Sequence, residues 1–140
     1  MVLFFKKYAL YLAFIISLLA MSGSLYFSEI LKLPPCILCW YQRILMYPLV
    51  LIIAIGIIRK DEKLYNYVLP FSILGMIVAF YHYLLYIKVV PESFSPCTVG
   101  VSCITPQIDW LGFINIPLMS FLAFTAITAI MVLCQKKCKV

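Results

Sequence analysis

The stretch LYNYVLPFSILGMIVAFYHYLLYI, residues 64 to 87, carries no aspartate, glutamate, lysine or arginine and lies between Lys63 and Lys88. About 20 predominantly apolar residues cross the hydrocarbon core of a bilayer as a helix, so this segment alone is long enough to span one. Similar stretches lie on either side of it. Tyr8 to Ser28 is uncharged between Lys7 and Glu29, and Leu111 to Gln135 is uncharged ahead of Lys136. Ile44 to Ile58, between Arg43 and Arg59, is short unless Trp40, Tyr41 and Gln42 complete it, with Arg43 snorkelling to the interface. The whole chain of 140 residues is 66% hydrophobic and only 11% charged, with a mean hydropathy of +1.10. Soluble domains carry about 25% charged residues, so the charge here is too little to cover a soluble domain of this size. The sequence predicts an all-α membrane protein, a four-transmembrane-helix bundle in which residues 1–140 form a single domain.

The first segment has some features of a secretory signal, with Lys6 and Lys7 ahead of it and small residues from Ala20 to Ser24. Its uncharged run exceeds the roughly 7–15 residues of a signal core, so a retained helix is expected. Lys6, Lys7, Arg59, Lys60, Lys63, Lys136, Lys137 and Lys139 fall in the N-terminus, the second connection and the C-terminus. Four spans put these three regions on one side, leaving Lys32, Lys88 and the borderline Arg43 to the other. Cytoplasmic segments carry the excess of lysine and arginine. Both termini are therefore expected to be cytoplasmic, in a multi-pass protein of the cell membrane. The net charge of +6 is accounted for by these topological lysines, and no nucleic-acid partner is expected.

That topology sorts the cysteines. Cys36 and Cys39 fall in the first extracytoplasmic connection, Cys97 and Cys103 in the second, and Cys134 and Cys138 at the cytoplasmic end of the last helix. Disulfides persist outside the cytosol and are rare within it, so the four external cysteines read as two local redox-active pairs and the last two as thiols without a catalytic role. The first pair stands in Pro34-Pro35-Cys36-Ile37-Leu38-Cys39-Trp40-Tyr41-Gln42-Arg43. Two prolines suit the approach to a helix start, where unpaired backbone N–H groups stabilise a thiolate. Arg43, four residues after Cys39, shares its helix face and adds positive charge. The second pair encloses Thr98-Val99-Gly100-Val101-Ser102 and follows Pro91, Ser93, Ser95 and Pro96, which predicts a mobile, water-facing disulfide. A small loop stabilises little by chain entropy, which favours exchange over a structural role.

Other readings of these residues stay open. Four cysteines in two pairs is also a structural-zinc pattern, although the second spacing is longer than usual, and no metal site is expected. Two purely structural disulfides are another. His82, the single histidine, lies inside the third apolar run, about six residues from its external end and near the level of Arg43. A polar group there is either a helix–helix anchor or a functional site.

The run from Pro35 to Arg43 resembles the signature of the disulfide bond formation protein B (DsbB) family. Trp110-Leu111-Gly112-Phe113-Ile114-Asn115-Ile116-Pro117 resembles its second signature. The likeness covers essentially the whole chain, and the short second loop is most similar to the compact Gram-positive, BdbC-like branch. It implies a thiol:quinone oxidoreductase that reoxidises an extracytoplasmic thioredoxin-like (DsbA/BdbD-type) thiol oxidase and passes electrons to menaquinone or ubiquinone. By position, Cys97 would form the mixed disulfide with that partner, with Cys103 as its mate. Cys36 would exchange with the second pair and Cys39 would meet the quinone. Arg43 would be the quinone-side cation, and His82, which matches a family histidine only approximately, a second quinone-binding group. Two alternatives remain, a reductase of the vitamin K epoxide reductase kind, working in the reductive sense, and a non-enzymatic scaffold.

Overall fold

The computed structural model describes residues 2–104 and 115–138. Helix α1 (Val2–Leu25) runs on through a π-helical turn (Tyr26–Ile30), followed by α2 (Ile37–Arg59), α3 (Tyr65–Tyr86) and α4 (Ile116–Cys138). All four are long and apolar enough to cross a membrane, and no strand occurs among the described residues. The short second segment is resolved by its start. α2 begins at Ile37, so Leu38 to Arg43 supply the missing turns. The second signature lies partly outside the described residues. Its described part, Asn115 to Pro117, opens α4, with Asn115 Oδ1 accepting from the Leu118 amide at 2.9 Å as an N-cap.

Each helix packs on its chain neighbour and α1 closes on α4, which makes a four-helix ring. Met46, Leu49 and Ile53 of α2 meet Val68 and Ala79 of α3 and Phe124, Ile127 and Met131 of α4 in the core. In α2 and α4 these residues are spaced by three and four, as on one helical face. The opposite faces carry exposed Leu51, Ile55, Ile77 and Leu133, as lipid-facing surfaces do. Hydroxyl groups within the spans bond back to their own helices, as Ser72 does to Leu69 O at 3.1 Å and Thr128 to Phe124 O at 2.8 Å. With no water in the bilayer core, such internal pairing is required.

Lys60 ends α2 in the left-handed region at φ 51°. Asp61 N–H then donates to Gly56 O at 3.0 Å, and Lys6 Nζ donates to Glu62 O at 3.3 Å. The N-terminus and the α2–α3 connection thus share one end of the bundle. The four cysteines of the two sequence pairs share the other.

Gly75 fixes the approach of α3 to α4, since a Cβ there would run into the Phe124 ring. Phe124 is fully buried and has no free space to turn into. Gly75→Val is expected to destabilise the bundle by about 1–3 kcal/mol through overpacking. Gly23→Val, where a Cβ meets nothing within 4 Å, is expected to leave folding intact. Unfolding midpoints in detergent compare the two, and a Gly75→Val protein as stable as the parent would show that this contact does not hold the helices together.

Candidate redox site

The two prolines end the extended approach and Cys36 becomes the N-cap of α2, at φ −71° and ψ 170°. Its Sγ accepts from the Cys39 amide at 3.4 Å, the place usually filled by a serine or aspartate oxygen. One helical turn later Cys39 brings its own sulfur to 2.9 Å from that of Cys36. α3 supplies the next neighbour. His82, only 3% exposed, sets Nε2 at 3.8 Å from Cys36 Sγ. The Gln42 amide nitrogen lies 3.0 Å from His82 Nδ1. An amide nitrogen only donates, so Nδ1 accepts and Nε2 carries the ring proton toward the sulfur.

These contacts stabilise charge on Cys36. The hydrogen bond from the Cys39 thiol is the largest cause, and His82 and the Cys39 amide add to it against the opposing effect of burial. Together they draw the Cys36 thiol down from 9.0 to about 4. Because the folded value is depressed, the thiolate persists as pH falls from neutral and is lost only through about pH 4. The stability it contributes is complete above the ordinary thiol value, declines steadily as pH falls below that value, and is gone below about pH 4. In reduced protein the ultraviolet thiolate absorbance is expected to stay flat from neutral pH down to that window, and the transition is expected to move upward in His82→Ala. A midpoint near the ordinary thiol value in the parent would contradict this geometry.

Cys97 and Cys103 form a disulfide in the connection after α3. A single 3-10 turn (Glu92–Phe94) leads into it, tied down by the Tyr81 hydroxyl donating to Phe94 O at 2.6 Å. Ser95 Oγ accepts from the Cys97 amide at 3.1 Å. Most of the connection is exposed, as its composition predicts, with Phe94 and Val99 among its exposed residues, but the disulfide it carries turns one sulfur inward. Cys103 is 4% exposed and packs with Cys36, Leu38 and Leu85, and only Cys97 of the pair is part-exposed. The sulfurs of Cys36, Cys97 and Cys103 all lie within 4.8 Å of one another, as do the ligand atoms of Cys36, Cys39 and His82. Cys36 is common to both groups. Thiol–disulfide exchange needs one sulfur to reach another, and here one cysteine reaches both neighbours.

On the other side of Cys39 a cavity of about 320 Å³ opens between α1, α2 and α4. Cys39, Gln42, Arg43 and Tyr47 line it from α2. Arg43 donates from Nη2 to Ser24 O at 2.9 Å and sits 5.7 Å from the Trp40 ring centroid. Neither Cys36 nor His82 is among the lining residues. The expectation of His82 as a quinone-binding group therefore meets a different placement, against Cys36 and behind Gln42. Gln42, which the sequence reading used only to lengthen a span, is 6% exposed and touches both compartments. The signal available for it was a lone amide in an apolar run, three residues after Cys39.

Residues 6–134 match the family model for disulfide bond formation protein DsbB. The chain belongs to the DsbB family. DsbB-family relatives cover nearly all of it. Disulfide bond formation protein C of Bacillus subtilis (strain 168) is 48% identical over 126 residues, 89% of this chain and 90% of that protein. Probable disulfide formation protein C 2 of Bacillus anthracis is 46% identical over 133 residues, 94% of each chain. The SPbeta prophage-derived disulfide bond formation protein B of Bacillus subtilis (strain 168) is 42% identical over 120 residues, 85% of this chain and 80% of that protein. No solved structure matches the chain significantly. DsbB membership makes the chain a multi-pass membrane protein of disulfide bond formation, and it accounts for two cysteine pairs meeting at one end of a helical bundle.

Proposed function

We propose that this chain is a thiol:quinone oxidoreductase that reoxidises an extracytoplasmic thioredoxin-like thiol oxidase and passes the electrons to menaquinone or ubiquinone. The observation that carries the reading is the position of Cys36, within sulfur reach of Cys97 and Cys103 on one side and of Cys39, at the cavity wall, on the other. The partner–DsbB–quinone chain is what keeps the bacterial periplasm oxidising, and the proposal gives this chain the same role.

In the first exchange a partner thiolate attacks Cys97, the part-exposed member of its pair. The Cys97–Cys103 bond breaks and Cys103 leaves as thiolate. The second partner thiol resolves the mixed disulfide, so the partner is oxidised and Cys97 and Cys103 hold two electrons and two protons. One of these thiolates then attacks Cys36 in the oxidised Cys36–Cys39 pair and displaces Cys39 as the leaving thiolate. The remaining thiol of the second pair closes the Cys97–Cys103 disulfide again. The His82 N–H at Cys36 and the α2 N-terminus steady the sulfur through this exchange. Cys39, now reduced, faces the cavity beside Arg43.

A quinone held there by Arg43 and the apolar wall would supply a two-electron, two-proton acceptor, and Cys36 and Cys39 would close their disulfide as they give up those electrons and protons. The donor set fits such a group. The wall is mainly apolar, and Arg43 Nε and Tyr47 OH are buried in the chain without a hydrogen-bond partner, as donors awaiting acceptor oxygens are. DsbA-type oxidants lie near about −120 mV, and about 30 mV is worth roughly 1.4 kcal/mol for two electrons. Ordinary disulfides are too reducing to accept from such a partner, which is why a quinone is needed. The excess of lysine and arginine at the end opposite the cysteines supports the reading that the site faces the extracytoplasmic side and both termini the cytoplasm.

Anaerobic mixing of the fully reduced protein with one equivalent of ubiquinone or menaquinone tests this. Loss of the oxidised-quinone absorbance together with closure of the Cys36–Cys39 disulfide is expected. A protein that keeps its thiols before both quinones is not this enzyme.

A further inference from the structure

We infer that Tyr47 is a quinone-recognition residue, its phenol donating a hydrogen bond to the ring carbonyl that lies farther from Cys39. The inference rests on the quinone reading of the cavity and extends it to a residue whose composition and position would assign it to packing. Cys39, Arg43 and Tyr47 recur every four residues along α2, so they lie along one face in steps of roughly 6 Å. All three line the same cavity.

Among the described residues, Arg43 Nε and Tyr47 OH are the buried side-chain polar atoms with no hydrogen-bond partner. That both lie on one cavity wall is the observation that points to a ligand. A buried phenol nearly always finds a partner, and leaving one unpaired is costly. The expense is greater within a bilayer, where water does not substitute. The neighbouring hydroxyls of the bundle show the usual solution, bonding to a carbonyl one turn back in their own helix. A phenol at the end of a rigid ring cannot fold back that way. Its partner must come from across the cavity.

The chemistry of the partner follows from the pair of donors. Arginine has no acceptor atom, so the ligand must accept at the Arg43 position, and the phenol in the same wall gives it a second polar anchor. The rest of the wall, with Ile16, Leu19, Met46 and Ala123 among its members, requires an apolar body between. A flat dione with oxygens on opposite edges and an apolar tail meets all three demands. Laid along α2, it puts one carbonyl at Arg43 within a turn of Cys39 and the other at Tyr47. The second oxygen then lies deeper in the membrane than the reacting sulfur, which fixes which end of the ring Cys39 meets.

Tyr47→Phe keeps the ring and removes only the donor, so the bundle has no reason to unfold. Tyr65→Phe, at the far end of α3 against the core, is the matched control. The full-length protein in detergent is titrated with a short-chain ubiquinone and with a short-chain menaquinone, and carbonyl-labelled quinone is followed by infrared difference spectra. Tyr47→Phe is expected to weaken binding roughly 3- to 10-fold and to return one of the two bound carbonyl stretches toward its free frequency. Tyr65→Phe should match the parent in both. Unchanged affinity and unchanged stretches in Tyr47→Phe, with the parent binding quinone, would overturn the inference and leave the enzyme reading intact. If the parent binds neither quinone, the quinone reading itself fails, and the assignment of Tyr47 with it.

Discussion

Cys39→Ser is expected to reduce quinone turnover to background while the Cys97–Cys103 disulfide still oxidises one equivalent of reduced partner. The reason is positional. Among the four cysteines of the site, Cys39 is the one that lines the cavity, and Cys36 reaches it at 2.9 Å from the buried side. Replacing Cys39 removes the last sulfur of the relay and also the possibility of a Cys36–Cys39 disulfide. Electrons delivered to Cys36 then have no exit. Rapid-quench thiol trapping against the quinone signal separates the two half-reactions. Quinone reduction that survives in Cys39→Ser would mean that electrons leave by another sulfur, and the order of the pairs would have to be reversed.

Cys103→Ser is expected to accumulate a covalent complex between Cys97 and the partner, with turnover lost. In the parent, Cys103 is buried against Cys36 and Leu85 while Cys97 is part-exposed, so a soluble thiolate meets Cys97 first. Without Cys103 the entry disulfide cannot form, and an oxidised partner presented to Cys97 as thiolate is held as the mixed disulfide. Non-reducing gels detect the adduct, and Cys97→Ser is expected to give none. An adduct that forms equally in Cys97→Ser would assign the contact to Cys103 and contradict the burial argument.

Much of the bundle is legible in the residues because membranes impose a coarse rule. Leu64 to Ile87 contains α3 within one residue at each end, since nothing but a helix satisfies such a run in lipid. α2 is harder to read. Arg43 breaks its apolar run, and the sequence yields a span only when Trp40, Tyr41 and Gln42 are added to it. That Arg43 ends on a backbone carbonyl of α1 is a contact that sequence does not show. The Cys36–Cys39 pair was legible from its spacing and its prolines. That it meets Cys97 and Cys103 depends on the path of a connection whose serines and prolines read as mobile. What composition does not show is the Tyr81 hydroxyl bond to Phe94 O and the burial of Cys103, which bring one end of an otherwise exposed connection against Cys36.

His82 and Tyr47 illustrate the same limit from opposite directions. An ionisable group within a span marks function, and His82 was singled out on that ground. Which neighbour it serves is a matter of helix rotation, and α3 turns it toward Cys36 and away from the cavity. Tyr47 carried no such mark, because tyrosines are common in membrane belts. Only the absence of a partner for its buried hydroxyl sets it apart from the other tyrosines.

The central claim is that electrons run from a partner dithiol through both cysteine pairs to quinone. The most direct measurement is the stoichiometry in proteoliposomes holding the full-length protein and either ubiquinone or menaquinone, with excess reduced thioredoxin-like oxidase outside. The account predicts one quinol formed for each partner disulfide, with turnover supported by at least one of the two quinones. Partner oxidation without quinol, or no oxidation while all four cysteines of the site stay inert to mild dithiols, would contradict it.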